Sequence, residues 1–231
     1  MKTGALIRYF FYVTRHWGLT VGLYTLWHEW RGELRYGIHT TSAHAVDGFT
    51  LKGPHRHLAT EYMPVNYPLL EDLLDHLPSA TRLGRFTDLG CGKGRALCVA
   101  AAKGFHQLTG VDFAREMVDA ARSNLETIAP GLTPPPQFDL RWADAATFRL
   151  PDDTTCLFLF NPFEKELMQQ VADRLFDRLP LLQQPLYIVY ASPRHQEVFA
   201  QLGYEVLYRT TKINRLEGVI LGKRNANGTL P

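Results

Sequence analysis

After Pro64 the sequence alternates short β-rich runs with helical stretches, and this alternation restricts the possible fold more than any other feature. The predicted strands run from Arg85 to Leu89, Gln107 to Asp112, Gln137 to Trp142, Thr155 to Phe160 and Pro185 to Ala191. The predicted helices between and after them run from Arg95 to Ala102, Ala114 to Ile128, Glu164 to Leu179 and Arg194 to Leu202. Strands that alternate with helices form a parallel sheet covered by crossover helices. The pattern therefore predicts a doubly wound α/β fold.

The region after Pro64 is predicted to begin with a helix and to end with a hairpin. A first helix is predicted to begin near Tyr67-Pro68, because proline is favoured in the first helical turn. Its apolar stripe consists of Leu69, Leu70, Leu73, Leu74 and Leu77. Near the C-terminus, two β-rich runs, from Tyr204 to Thr210 and from Leu216 to Leu221, are joined by a short polar turn and predict a hairpin. Residues 63–231 are therefore expected to form a seven-stranded, mostly parallel sheet with a C-terminal antiparallel hairpin.

Residues 1–62 are predicted to be a helical extension that covers the active site. Large apolar residues recur at steps of three or four, the spacing of one helical face: Leu6, Phe10, Val13, Trp17, Val21, Tyr24 and Trp27. Arg8, Arg15 and His16 interrupt this segment, which leaves no charge-free run of the ~18 residues that a spanning helix needs. We exclude a transmembrane helix and a secretory signal. The face is expected to dock on the domain or on a second copy in a homodimer; a membrane surface is possible but less favoured.

The charge balance and the cysteine count limit the classes of function. The chain has 25 Lys and Arg residues against 23 Asp and Glu residues, so no global field favours a nucleic acid, and none is expected as a partner. Three cysteines without metal-type pair spacing disfavour a disulfide framework. A cytoplasmic enzyme is the simplest interpretation.

A cluster of histidines in the extension could suggest a metal site. The cluster consists of His39, His44, His55 and His57. No carboxylate or cysteine completes a ligand set at a familiar spacing, so no metal is expected. We interpret the segment as a loop that covers the active site.

A glycine-rich loop joins the first predicted strand to its helix. It reads Asp88-Leu89-Gly90-Cys91-Gly92-Lys93-Gly94. Glycines let the backbone turn sharply and approach a ligand closely. The dinucleotide fingerprint needs its third glycine at position 95, where Arg95 stands, so a nicotinamide or flavin cofactor is disfavoured. Cys91 is interpreted as a small loop residue near the cofactor, and Lys93, Arg95 and Lys103 as a solvated helix face.

Three acids end three successive predicted strands. Asp88 precedes the glycine loop, Asp112 ends the second strand and Asp144 follows the third. A carboxylate at Asp88 suits a cationic amino acid head, such as that of S-adenosylmethionine (SAM), better than a diphosphate. Asp112 follows Asp88 by 24 residues (112 − 88), close to the ~20 expected for an acid that binds ribose. The aromatic ring of Phe113 would lie beside the adenine.

These motifs resemble those of the class I, seven-strand, Rossmann-like SAM-dependent methyltransferases. The resemblance rests on Asp88-x-Gly90-x-Gly92-x-Gly94, Asp112 and Asp144 and runs from about Tyr62 to the C-terminus. It implies that the glycine loop holds the methionine part of SAM, Asp112 the ribose, and the region of Asp144 and Ala145 the adenine. Tyr62 could reach the methionine end. The alternative is that the three acids only cap loops or helices.

The fourth predicted strand ends in Asn161-Pro162-Phe163, where the methyl acceptor is expected. Asn161 could accept a hydrogen bond from a substrate amine and orient its lone pair, while Phe163 offers a face to the cationic product. The turn is similar to the Asn-Pro-Pro-aromatic motif of amino-group methyltransferases, but it lacks the second proline, which weighs against DNA adenine and glutamine amide substrates. Alternatively, Asn161 and Pro162 only start a helix.

The whole pattern, including Tyr62-x-Pro64, Leu89-Gly90-x-Gly92-Lys93-Gly94-Arg95 and Phe160-Asn161-Pro162-Phe163, also looks like bacterial proteins loosely similar to seven-strand protein-lysine methyltransferases. We therefore predict a SAM-dependent N-methyltransferase that acts on an amine, with a protein lysine ranked first. A methyltransferase for a small metabolite is the first alternative, and an enclosed acceptor pocket would favour it over lysine. A catalytically silent SAM-binding or scaffold protein is the second.

Overall fold

The computed structural model describes residues 3–42, 49–52, 62–160, 164–182 and 184–223. Its centre is a seven-stranded sheet with the order β3-β2-β1-β4-β5-β7-β6. The strands are β1 (Arg85–Leu89), β2 (Gln107–Asp112), β3 (Gln137–Trp142), β4 (Thr154–Phe160), β5 (Tyr187–Ala191), β6 (Glu205–Lys212) and β7 (Leu216–Gly222). The first five are parallel, and β7 pairs antiparallel with both β5 and β6. The predicted doubly wound sheet with its terminal hairpin is confirmed.

The helices that connect the strands also begin and end close to their predicted residues. They are α3 (Tyr67–Asp75), α4 (Arg95–Ala102), α5 (Arg115–Ile128), α6 (Lys165–Arg178) and α7 (Glu197–Ala200). Only α7 is much shorter than predicted. Ser192 has a φ of 51°, and the amide of Arg194 bonds to the Ser192 carbonyl at 2.8 Å, so the chain is still turning where the helix was expected to begin.

Apolar side chains fill both faces of the sheet. On one face the leucines of α3 pack with α4, α5 and Phe86 of β1. On the other face Leu157 and Leu159 of β4 pack with α6 and α7. Strand order reverses between β1 and β4, because β2 and β3 lie on one side of β1 while β4 and β5 lie on the other. In doubly wound sheets the crevice at the carboxyl ends of these two strands is where ligands bind.

The N-terminal segment forms two helices, α1 (Thr3–Trp17) and α2 (Leu19–Tyr36), separated by Gly18 with a φ of 92°. The prediction of one continuous apolar face was wrong, since Trp17 and Trp27 are exposed. Gly18 redirects the chain, and α1 folds back on α2. Gly22 permits the close approach, because a Cβ there would lie 2.0 Å from the Thr14 hydroxyl.

Helix α2 packs on α3 and α4. Gly32 is required at this contact, since a Cβ would lie 2.2 Å from the ring of Tyr67. The rings of Tyr36 and Tyr67 stack at 5.7 Å. The extension is therefore docked on the domain through α2. Within the described ranges, neither α1 nor α2 nor any later helix is both long and apolar enough to cross a bilayer.

Candidate active site

The glycine loop after β1 is tied to the end of β2 by its backbone. The amides of Gly90 and Cys91 donate to the Val111 carbonyl at 2.8 and 3.0 Å, and the amide of Gly92 donates to Oδ2 of Asp112 at 2.8 Å. The loop closes on itself through the amide of Gly94 and the carbonyl of Cys91 at 2.8 Å. These bonds hold the loop open toward the crevice between β1 and β4.

Tyr62 packs directly on this loop. Gly92 has a φ of 51°, and a Cβ there would lie 2.3 Å from Cε2 of Tyr62. The Tyr62 hydroxyl donates to the carbonyl of Thr40 at 3.0 Å. Only glycine combines this backbone conformation with this contact. The described residues just before α3 are thereby fixed over the glycine loop.

Asp88 and Asp112 are buried carboxyls that line the same cavity. Oδ1 of Asp112 accepts from the amide of Ala114 at 2.9 Å, so both of its oxygens already hold backbone amides. Burial raises the pKa of Asp112 to about 6, and the backbone amides act against that rise. Burial, helped by the charge of Asp112, raises the pKa of Asp88 well above its ordinary value. Two desolvated carboxyls favour a cationic ligand, which restores the ionised form.

Asp144 and Ala145 follow β3 at the same edge of the sheet. Oδ1 of Asp144 accepts from the amide of Ala146 at 2.9 Å, which is the capping contact that the sequence left open as an alternative. In the part of the chain that the structure describes, Ala145 lines the cavity and Asp144, Gly92 and Gly94 do not. Phe113 lines it beside Ala145.

Cys91 lies in the loop as a buried thiol. Burial first, and then the nearby carboxyls Asp112 and Asp88, raise its pKa well above the ordinary value. The side chain therefore stays protonated and is a poor nucleophile. This agrees with its interpretation as a small loop residue.

The cavity has a volume of about 650 Å³ and extends from the strand edge to the N-terminal helices. Phe158 and Phe160 of β4 line its middle. The far wall consists of Tyr9, Val13 and Trp17 of α1, Val21 of α2, and residues 63–66. Asn161, Pro162 and Phe163 lie outside the described residues.

Comparison with known proteins agrees with this geometry. Residues 86–180 match the family model described as a methyltransferase domain. Residues 86–180 therefore form a methyltransferase domain. A comparison with curated proteins returned no match.

Solved structures share the fold of this methyltransferase domain at low identity. An RNA methyltransferase from Salinibacter ruber in complex with S-adenosyl-L-homocysteine is 17% identical, with a TM-score of 0.53 over 69% of this chain and 93% of that one. The ribosomal protein L11 methylase from Lactobacillus delbrueckii subsp. bulgaricus is 15% identical, with a TM-score of 0.52 over 74% of this chain and 83% of that one. The acceptors in these names differ, so the similarity concerns the fold and not the substrate.

A buried ion pair joins the methyltransferase domain to α2, and the sequence did not predict it. Arg95, the first residue of α4, is 3% exposed and Glu29 is 1% exposed. Both terminal nitrogens of Arg95 bond to the Glu29 carboxylate, at 2.7 and 2.5 Å. The remaining donors reach Thr40 Oγ1 at 2.7 Å, the Val65 carbonyl at 2.7 Å and Thr41 Oγ1 at 3.4 Å. Although burial alone would lower the pKa of Arg95, the Glu29 carboxylate holds it above its ordinary value.

The prediction that Arg95 belongs to a solvated helix face was therefore wrong. Lys93 is not simply solvated either, since its Nζ donates to Ser42 Oγ at 2.6 Å. Lys103 does lie at the surface, where it pairs with Asp75. One feature of the sequence could have indicated the buried ion pair. Glu29 and Glu33 are the only acids among the first 36 residues, and they lie on an otherwise apolar helix, where a buried acid requires a partner.

One described part of the extension, residues 49–52, lies over the crevice. The backbone of Leu51 bridges to Ala114, and the amide of Lys52 donates to the Phe113 carbonyl at 2.9 Å. Phe49 lines the cavity. Of the four histidines, His39 is exposed, and His44, His55 and His57 lie outside the described residues.

Proposed function

We propose that SAM lies along the strand edge, with its amino acid head at Asp88 and Gly90, its ribose at Asp112, and its adenine between Phe113 and Ala145. The raised pKa values of Asp88 and Asp112 support this orientation, because a sulfonium and an ammonium group stabilise the ionised carboxyls. Ribose hydroxyls would use the remaining lone pairs of the Asp112 oxygens. Gly92 and Gly94 shape the loop, and Asp144 caps the turn that carries Ala145.

We propose that the methyl acceptor is an amine on a small molecule with an apolar body. The observation that carries this proposal is the far wall of the cavity, because the chain's own helices close the acceptor side with Tyr9, Val13 and Val21. The cavity volume of about 650 Å³ would be shared by SAM and the acceptor, and it lies within the ~300–1,000 Å³ range of sites for small molecules. This ranks a metabolite above a protein lysine.

Two arginines, Arg194 and Arg215, line the cavity, and Glu217 also lines it but is paired with Arg209. These arginines repel an ammonium ion of either candidate, so the charges do not separate a metabolite amine from a protein lysine. Protein lysine stays the second candidate, since a single lysine side chain is slender enough to enter an apolar channel.

The chemistry requires positioning more than acid–base catalysis. The amine nitrogen attacks the methyl carbon in line with the carbon–sulfur bond, which breaks with its electron pair left on sulfur. The products are S-adenosylhomocysteine and a methylated ammonium ion, which releases its proton to water. We propose that Asn161 orients the amine by accepting its N–H, that Pro162 fixes the turn, and that the ring of Phe163 faces the developing cation.

The test is incubation of the purified protein with methyl-labelled SAM and a cell extract, followed by separation of small molecules from protein. We expect label on an amine in the small-molecule fraction. Label on protein lysine would move the assignment to the second candidate. Binding of SAM without transfer to any fraction would instead support a catalytically silent protein.

A variant pair separates acceptor chemistry from cofactor binding. Asn161→Ala is expected to lower kcat by about tenfold or more while SAM affinity stays unchanged, since one orienting hydrogen bond is lost. Asp144→Ala is the matched control at the same sheet edge, and it should leave kcat with saturating SAM close to that of the natural protein. Equal kcat in Asn161→Ala and the natural protein would contradict the role of Asn161.

A further inference from the structure

Helix α2 carries a second apolar stripe on the side opposite the domain. Leu19, Leu23, Trp27, Trp30 and Leu34 follow one another at steps of 4, 4, 3 and 4 residues, so they share one helical face. Each of these side chains is between 38% and 59% exposed. The residues that pack on the domain, among them Glu29, Gly32 and Tyr36, lie on the other side.

An exposed apolar stripe of this length is unusual on a surface helix, whose outer face is normally polar. Among the residues that the structure describes, twelve large apolar side chains are exposed, and eight of them lie in α1 and α2. The three outside the α2 stripe are Ile7, Phe11 and Trp17 of α1. This concentration indicates an interaction surface and not scattered exposure. We refer to these eight side chains as the outer apolar face.

The charges beside the outer apolar face have one sign. In α1 and α2 the exposed ionised side chains are Arg8, Arg15, Arg31 and Arg35, and the only acids, Glu29 and Glu33, are buried. Arg35 is also paired with Glu71 at 3.0 Å. The surface is thus both apolar and cationic. It matches a partner with an apolar interior and a negatively charged surface.

We propose that the outer apolar face docks the protein on an anionic lipid bilayer, with α2 lying in the interface. Helices of this kind combine Trp, Phe and Leu on one face with Arg or Lys beside it. Trp is favoured at the boundary between headgroups and acyl chains, and Arg attracts anionic headgroups. A second copy fits less well, because a symmetric interface would bring the same four arginines together without acids.

Docking would also bring the methyl-transfer cavity to the bilayer. Trp17 lines the cavity and is 37% exposed, so it belongs both to the inner wall and to the outer apolar face. Membrane association is independent of which amine the enzyme methylates.

The test is sedimentation of the full chain with vesicles of phosphatidylcholine alone and of phosphatidylcholine with phosphatidylglycerol. We expect binding to the anionic vesicles to be roughly tenfold tighter or more, and to weaken with salt. Three of the four tryptophans lie in α1 and α2, so their fluorescence should shift to the blue on binding. Equal binding to both vesicle types, or none to either, would overturn the proposal without use of any variant.

Variants then locate the contact. Trp27→Ala with Trp30→Ala should lower vesicle affinity by roughly tenfold, and Arg31→Gln should lower it less. Phe176→Ala, which removes an aromatic side chain that is 59% exposed on α6, is the control and should bind as the natural protein does. If the tryptophan variant binds normally, or if the natural protein is a dimer that this variant dissociates, the outer apolar face serves another purpose and the proposal is wrong.

Discussion

The two sides of the cavity are built on different principles. The strand edge, with Asp88, the glycine loop and Asp112, is a product of local sequence, since each acid lies within the last two residues of its own strand. The helical wall depends on contacts between distant residues, of which Glu29 with Arg95 is the most buried. The comparison teaches that the strand edge follows the general rules of the fold, whereas the helical wall depends on contacts that are particular to this chain.

The largest expected effect concerns the helical wall. Arg95→Met leaves Glu29 buried without its partner, which should lower the free energy of unfolding by about 3–5 kcal/mol. Urea denaturation measures this change. Lys103→Met removes a surface pair from the same region and should cost less than about 1 kcal/mol. If the two variants were equally stable, the wall would not depend on this ion pair.

A double variant sharpens this result. Arg95→Met with Glu29→Met replaces both charges by apolar groups and should regain much of the lost stability, because buried pairs are often replaceable when both partners are removed. Stability no better than that of Arg95→Met alone would mean that the threonine and carbonyl contacts of Arg95 matter more than its charge.

The next effect concerns the strand edge. Asp112→Ala should weaken SAM binding by about 1.5–3 kcal/mol, the scale for hydrogen bonds to a charged group. Calorimetry gives the affinity directly. Asp112→Asn keeps one oxygen acceptor and should lose less, while Asp139→Ala, on β3, serves as the control. Unchanged affinity in Asp112→Ala would refute the assignment of the ribose to this residue.

A smaller effect is expected where the two sides meet. Gly92→Ala forces a Cβ into the ring of Tyr62 at a φ of 51°, so the loop or the ring has to move. We expect a loss of about 1–2 kcal/mol in stability, with weaker SAM binding. Gly131→Ala introduces a Cβ with nothing within 4 Å and should be neutral in the same thermal and binding assays. A neutral Gly92→Ala would mean that Tyr62 does not constrain the loop.

The smallest effect is a pH dependence of the strand edge. Burial raises the pKa of Asp112 from 3.8 to about 6, so the unliganded protein loses stability as pH rises through this range. Bound SAM favours the ionised carboxyl, and its stabilising effect should grow over the same range. The increase in Tm caused by SAM should be about 2–4 °C larger at about pH 7.5 than at about pH 5. The same increase at both values would mean that bound SAM does not favour the ionised form of Asp112.

The sequence predicted the strand edge because its signals are local. Glycine spacing, an acid at each strand end and a period of apolar residues each lie within a few positions of one another. The parallel strands followed from the alternation of β-rich and helical runs, and the terminal hairpin followed from two β-rich runs joined by a short polar turn. Even so, Asp144 accepts a hydrogen bond from the amide of Ala146, which shows that an acid in the expected position can bind the backbone.

The helical wall was harder to predict, because its contacts join residues that are far apart in the sequence. Arg95 and Glu29 are 66 positions apart, and a cationic residue at the start of a helix is usually solvated. The apolar residues before Trp30 were taken as one stripe, whereas Gly18 divides them between two helices. Leu19, Leu23 and Trp27 also have the spacing of a second apolar face of α2. This face was overlooked because Trp27 had been assigned to the first stripe.

The ion pair between Glu29 and Arg95 limits which segments of this chain can be exchanged with those of related proteins. Exchanging the first two helices for those of a relative would leave a buried guanidinium beside the glycine loop unless the incoming segment also supplied a carboxylate at the same place. Replacement of the two helices as a module therefore requires position 95 to change with them, whereas substitutions elsewhere in the helices can leave the ion pair intact.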